Sequence, residues 1–242
     1  MGMLYSVLMG AAVLFLMLLF RRKKYDVSMK KVFAIQIVVT IITTLGANLG
    51  SFLGGMSFLG LRLYGILLLD TVALFALAKL YKMEVGELGD YLGPAIIAIC
   101  CIVKTPCIID GCCYGKVLFT DNLGNAVRFP SQIVEFSIWA ILTVWLLWIE
   151  RKGNHKNLIW SISSFWFGIF RFIVDFMRGS PNELRLKILG MPAGRFWSLI
   201  VAAVALAFMV YSFRRYYKCY PTFSQMVKTI FGITPSKSSE NQ

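Results

Sequence analysis

The chain has 242 residues, of which 58% are hydrophobic and 15% charged, and its formal net charge is +13. A soluble domain is usually nearer half apolar and a quarter charged, so a water-soluble enzyme or binding module is excluded as the starting reading. The positive charge must first be located along the chain before it is taken for a nucleic-acid footprint.

Seven apolar runs follow one another at residues 4–20, 32–45, 61–78, 92–103, 133–149, 158–173 and 196–213. Most approach the ~20 residues that cross ~30 Å of hydrocarbon, which predicts an all-α polytopic membrane protein of seven transmembrane helices. The fourth run is the weakest, because Lys104 and Pro106 cut it short. Lys and Arg near helix ends set orientation. Arg21, Arg22, Lys23, Lys24, Lys30 and Lys31 lie between the first two runs. Lys79 and Lys82 follow the third, Arg151, Lys152 and Lys156 the fifth, and Arg214, Arg215 and Lys218 the seventh. All of these fall on one side when the N-terminus is outside and the C-terminus cytoplasmic. The net charge is then mostly a topology signal, and no nucleic-acid partner is expected. The first run has its basic cluster after it, so it reads as an uncleaved span and not as a signal peptide. Residues 1–220 are expected to form one membrane domain, with 221–242 a short, frayed cytoplasmic tail.

Polar side chains are costly in lipid and mark sites by default. Four clusters fall toward the outer face. The stretch "NLGSFLGGMSFLG" (48–60) is Gly-rich; it reads either as a plain turn or as backbone free to approach a ligand at Gly54 and Gly55. The stretch "KTPCIIDGCCYGK" (104–116) holds Lys104, Asp110 and Gly115 among Cys107, Cys112 and Cys113. Cys107 and Cys112 have zinc-like spacing. The single histidine, His155, lies on the opposite side, and no metal is expected. In "RFPSQIVEF" (128–136), Ser131 can cap the following helix, and Gln132 and Glu135 share a face at i and i+3. Helix-terminus chemistry alone accounts for Ser131 and Glu135, but not for Arg128 and Gln132 beside them.

The last cluster, "FGIFRFIVDFMRG" (167–179), places Arg171, Asp175 and Arg178 on one helical stripe. Arg171 lies about 22 Å along the helix from Lys156, below the outer boundary of a ~30 Å core. Two readings fit: a self-satisfied Arg–Asp–Arg ladder, or a cationic surplus that takes a further anion. A phosphate suits the second, because the planar guanidinium fork binds phosphate oxygens bidentately. In a membrane that phosphate belongs to a phospholipid headgroup.

These four stretches resemble the motifs of the bacterial prolipoprotein diacylglyceryl transferases. "GGMSFLG" is similar to that family's G-G-M-S-F-H-G loop, and "KTPCIIDGCCYGK" to its R-x-G-N-x-x-N-G-E-x-[WY]-G signature. "RFPSQIVE" is similar to R-H-P-[ST]-Q-L-Y-E, and "FGIFRFIVDFMR" to Y-G-x-x-R-F-x-x-E-x-x-R. The resemblance implies an enzyme of the bacterial cytoplasmic membrane. It would move the diacylglyceryl group of phosphatidylglycerol onto a cysteine thiol of a secreted lipoprotein precursor, without a cofactor, as a monomer. It implies catalytic roles for Arg128, Arg171, Glu135 and Asp110. Substrate contacts would come from Lys104, Gly115, Ser131, Gln132, Asp175, Arg178, Gly54 and Gly55. Leu59 stands where the family carries its proposed base histidine, and Phe129 and Phe167 replace two further motif residues. Two other readings remain: a phospholipid-binding protein without catalysis, and a small-solute transporter. The transporter is disfavoured because no inverted repeat is visible.

Overall fold

The computed structural model describes residues 2–52, 61–111, 113–122, 124–178 and 187–233. Long helices carry the chain: α1 (Gly2–Arg21), α2 (Met29–Phe52), α3 (Leu61–Tyr81) and α4 (Val85–Ile102), then the short α5 (Thr105–Ile109). A hairpin of β1 (Val117–Thr120) and β2 (Ala126–Arg128) leads into α6 (Ser131–Lys152) and α7 (Ile159–Met177). The small ribbon β3 (Lys187–Ile188) and β4 (Met191–Pro192) precedes α8 (Ala193–Ser212), a π-helical turn and α9 (Phe223–Ile230). Among the described residues five stretches are long and apolar enough to cross a membrane: Met29–Gly46, Val85–Ile109, Ser131–Lys152, Ile159–Met177 and Gly194–Tyr217. Val7–Arg21 and Thr71–Tyr81 are shorter apolar helices. The architecture is that of an all-helical polytopic membrane protein.

The fourth helix is longer than its apolar run. It begins at Val85 and takes in the polar, glycine-rich segment "VGELGDYLG". Those glycines form a helix–helix seam: a Cβ on Gly89 would lie 2.9 Å from Trp160, and one on Gly93 would lie 2.9 Å from Ser163 Oγ. Small residues let α4 and α7 approach closely, which is how helices associate where lipid removes the hydrophobic drive.

The basic clusters gather at one end of the bundle. Arg21 at the end of α1 pairs with Glu150 at 2.9 Å and donates to the carbonyl of Asp90 at 2.7 Å. Both side chains are buried. Asp90 reaches across from α4 to receive the backbone N–H groups of Asn157 and Trp160, capping α7 from a neighbouring helix. Tyr216 donates to Glu84 at 3.2 Å at the same end. The sequence reading takes Arg21 for a topology signal only; the fold also uses it as a buried structural cation.

Of the stretch after Tyr220, expected to fray, the described residues 221–233 include α9 and dock on α6 and α7. His155, 2% exposed, meets the carbonyl of Ile233 through Nε2 at 3.4 Å. Burial lowers the His155 imidazole below its ordinary value, partly offset by that hydrogen bond. The native state therefore binds the proton less tightly than the unfolded chain. The docked tail should be fully stable above about pH 6.5 and lose stability as pH falls from there toward the lowered native value. Limited proteolysis after residue 220 across that range is the check; His155→Gln should flatten the dependence.

Candidate functional site

At the opposite end, α6 starts directly after Pro130. Ser131 is not its cap. It is the first helical residue, and its hydroxyl donates to the carbonyl of Cys113 at 2.6 Å, pinning the preceding loop. Gln132 and Glu135 share the inward face as their spacing requires, and each is 2% exposed. Glu135 is the hub of the site. Lys104 Nζ, at the start of α5, lies 2.5 Å from its Oε2. Arg171 Nη1 is 3.2 Å and Arg178 Nε 3.6 Å from its Oε1. One carboxylate thus faces three cations, so among the described residues the cluster carries two positive charges in excess. Arg171 Nε and Gln132 Oε1 are buried with no hydrogen-bond partner there. Buried polar atoms of this kind are rare and need an explanation.

Of the two readings of the α7 stripe, the contacts differ from the ladder within one helix. The described ion pairs of Arg171 and Arg178 run to Glu135 on α6, while Asp175 pairs with Arg195 at 3.3 Å. Arg195 sits in the first turn of α8 and covers the ring of Phe176 at 3.8 Å. The sequence reading did not single it out. Its signal was available: a cation in a helix's first turn opposes the macrodipole and requires an acidic partner.

Gly115 fixes the loop against α7. Its N–H donates to Phe129 at 2.7 Å, and Lys116 N–H donates to Met177 at 3.0 Å. A Cβ at Gly115 would lie 2.5 Å from the Met177 carbonyl and 2.8 Å from Phe129. Gly115→Ala should therefore push the hairpin from the end of α7 and displace Arg178, which bridges to Gly115. Helical content should be kept while protease cuts the hairpin at least about tenfold faster, an effect equivalent to about 1.4 kcal/mol. Circular dichroism beside limited proteolysis tests it.

Two residues expected to be catalytic stand outside this cluster. Arg128 is exposed on β2 opposite Val117, and Asp110 is exposed at the end of α5; neither forms an ion pair among the described residues. Gly54, Gly55 and Leu59 lie outside the described residues, as does Cys112. Between α3, α7 and α8 runs an apolar cavity of about 480 Å³. It is lined by Val72, Phe75, Trp197, Val201, Val204 and Phe208, and reaches to within two residues of Arg195.

A surplus of cations at one end of a helical membrane protein, with an apolar cavity along its side, is an arrangement that can hold an anionic group. Comparison with known proteins narrows this. The sequence profile described as prolipoprotein diacylglyceryl transferase matches residues 2–211, and the chain belongs to that family. The phosphatidylglycerol–prolipoprotein diacylglyceryl transferase of Clostridium tetani is 27% identical over 133 residues, 51% of this chain and 53% of that protein. Its namesake from Cupriavidus metallidurans is 26% identical over 170 residues, 67% and 61% respectively. That of Mannheimia succiniciproducens is 29% identical over 171 residues, 67% and 62%. The chain thus spans between half and two thirds of the length of these curated relatives.

Proposed function

We propose that this protein transfers the diacylglyceryl group of phosphatidylglycerol to a cysteine thiol of a secreted lipoprotein precursor. It does so at the outer leaflet of the bacterial cytoplasmic membrane, which it crosses seven times with its N-terminus outside. The observation that carries the reading is the Glu135 hub, where Lys104, Arg171 and Arg178 meet a single carboxylate. A lipid phosphate supplies the missing negative charge, and guanidinium forks hold its oxygens. The unpartnered Arg171 Nε and Gln132 Oε1 are then a donor and an acceptor for the headgroup.

In the reaction the thiolate sulfur attacks the glyceryl carbon bonded to phosphate. The carbon–oxygen bond breaks, and glycerol phosphate leaves with the electron pair and a second negative charge. Arg171, Arg178 and Lys104 stabilise that developing charge. Glu135 positions the cations: three of them occupy its lone pairs, leaving little capacity to accept a proton. Arg128 and Asp110, on the exposed rim, are assigned to the approach of the precursor peptide. Gly54 and Gly55 would bring backbone to the headgroup. The thiol gives its proton to solvent water before the attack, and the field of the cationic cluster favours this by lowering a thiol's ordinary value of about 8.5.

A non-catalytic phospholipid-binding role is the second reading. It is favoured by one observation: His155, the only histidine, lies at the opposite end of the bundle. Release of glycerol phosphate by purified protein given phosphatidylglycerol and a lipobox peptide separates the two. Peptide-dependent release supports the transferase; lipid binding without release supports the binder. Orientation is tested by single cysteines at positions 116, 128 and 155 in a background without other cysteines. An impermeant reagent on intact cells should label the first two only, and labelling at 155 alone would reverse the topology.

A further inference from the structure

Helix α9 lies beyond the residues 2–211 that match the family, and it completes a second apolar groove. A capping box starts the helix: Thr222 Oγ1 accepts from Gln225 N–H at 3.3 Å, and Gln225 Oε1 accepts from Thr222 N–H at 2.9 Å. Trp166 Nε1, inside α7, donates to the Ile230 carbonyl at 2.8 Å, and Phe231 meets the Trp166 ring edge-on at 5.5 Å. Gly232 has φ +68°, and a Cβ there would lie 2.5 Å from Ile149. The tail is therefore fitted closely to α6 and α7.

Against Phe231, between α6 and α7, lies a cavity of about 410 Å³ lined by Ile138, Ile141, Trp145, Trp166 and Phe170. Ile141 is 70% exposed, so the cavity opens sideways where the helix faces the bilayer. Counting from Ser131 at ~1.5 Å per residue, it extends from about 10 to about 21 Å along α6, toward the basic end. Its lining contains no charged side chain. Two cations stand at that end. Lys152, two turns beyond Trp145, places Nζ 3.4 Å from the Trp148 ring centre; Lys228 is exposed one turn before Phe231.

We infer that this groove is a binding site for one acyl chain of an anionic phospholipid of the cytoplasmic leaflet, its headgroup held between Lys152 and Lys228. The inference uses the orientation proposed above but not the transfer reaction. A sideways-open apolar groove inside a bilayer meets only lipid chains. By the same count Lys152 lies about 31 Å along α6, so the groove covers the middle of a ~30 Å core and receives the part of a chain that descends from the basic boundary to the midplane. Trp148, against Lys152, and the two lysines beyond the groove suit an anionic headgroup at the water boundary. The C-terminal tail, through Phe231, closes the site.

The test uses the full-length protein in nanodiscs of zwitterionic phospholipid and reads tryptophan fluorescence. Phosphatidylglycerol with dibrominated chains is titrated in, and dibrominated phosphatidylcholine in parallel. The expected result is saturable quenching by the anionic lipid at several-fold lower mole fraction than by the zwitterionic one. Trp166→Phe should remove part of the saturable component. In the Trp166-dependent component, Lys152→Gln with Lys228→Gln should bring the two lipids within twofold, and Arg171→Lys should leave the preference intact. Identical Trp166-dependent quenching by both lipids in the wild type would reduce the groove to ordinary bilayer contact and overturn the inference. So would no change in Trp166→Phe. A preference lost in Arg171→Lys but kept in the double lysine variant would place the lipid at the opposite end and overturn it as well.

Discussion

Arg171→Lys is expected to fold normally, keep Glu135 paired, and lose about 10- to 100-fold in lipid turnover. The ammonium preserves the charge opposite Glu135 Oε1, which Arg171 now meets at 3.2 Å. It cannot reproduce the planar fork that would hold two phosphate oxygens. A charge-assisted hydrogen bond contributes about 1.5–3 kcal/mol, which sets the range. Arg171→Ala is harsher, because it removes one partner of a buried pair; such losses run to about 3–5 kcal/mol. Glu135 keeps Lys104 and Arg178, so the stability loss should fall at the lower end. Arg178→Lys should be milder than either, since that side chain is 24% exposed and its nitrogen is 3.6 Å from the carboxylate. Exchanging the pair, as Arg171→Glu with Glu135→Arg, distinguishes pairing from phosphate binding. The exchanged protein should fold but lose phosphatidylglycerol binding; normal turnover in it would sink the phosphate assignment.

The second large effect lies at the other end. Arg21→Ala should lower stability by about 3 kcal/mol, because it leaves buried Glu150 with only the half-exposed Lys24. Glu150→Ala should cost at least as much, because it leaves both Arg21 and Lys24 without their carboxylate. Replacing both, as Arg21→Met with Glu150→Leu, should recover much of the loss, since well-packed apolar side chains often equal a buried ion pair. Recovery will be incomplete, because the Asp90 carbonyl loses its donor. Thermal unfolding in detergent compares the three variants. A double variant whose loss equals the sum of the singles would mean that the pair is not coupled.

Much of the fold was legible because lipid leaves few options: long apolar runs become helices. Where the reading went astray, a local rule met a tertiary one. The start of α4 is polar and glycine-rich by composition, yet Gly89 and Gly93 are there to receive α7. The i, i+4 spacing pointed Arg171 to Asp175, but the carboxylate that the two α7 arginines meet is Glu135, 36 residues before Arg171. Spacing finds neighbours on one helix; it cannot report which neighbouring helix supplies the closer charge. For the same reason Arg195 was not singled out. Glu135 and Gln132, by contrast, were readable, since a buried shared face follows from an i, i+3 pair at the start of an apolar helix. The buried Arg21–Asp90–Glu150 end was not, because charges at span ends look alike whether they face water or a partner.

The central claim is that the cationic hub around Glu135 binds the phosphate of phosphatidylglycerol and drives transfer of its diacylglyceryl group to a thiol. The most direct measurement is the mass of a lipobox peptide after incubation with purified protein and phosphatidylglycerol, run beside Arg171→Lys and a peptide whose cysteine is serine. The account predicts that wild-type protein adds one diacylglyceryl group to the cysteine peptide, that Arg171→Lys does so about 10- to 100-fold more slowly, and that the serine peptide is unchanged. An unmodified cysteine peptide with folded, lipid-loaded wild-type protein, or equal rates for wild type and Arg171→Lys, would contradict it.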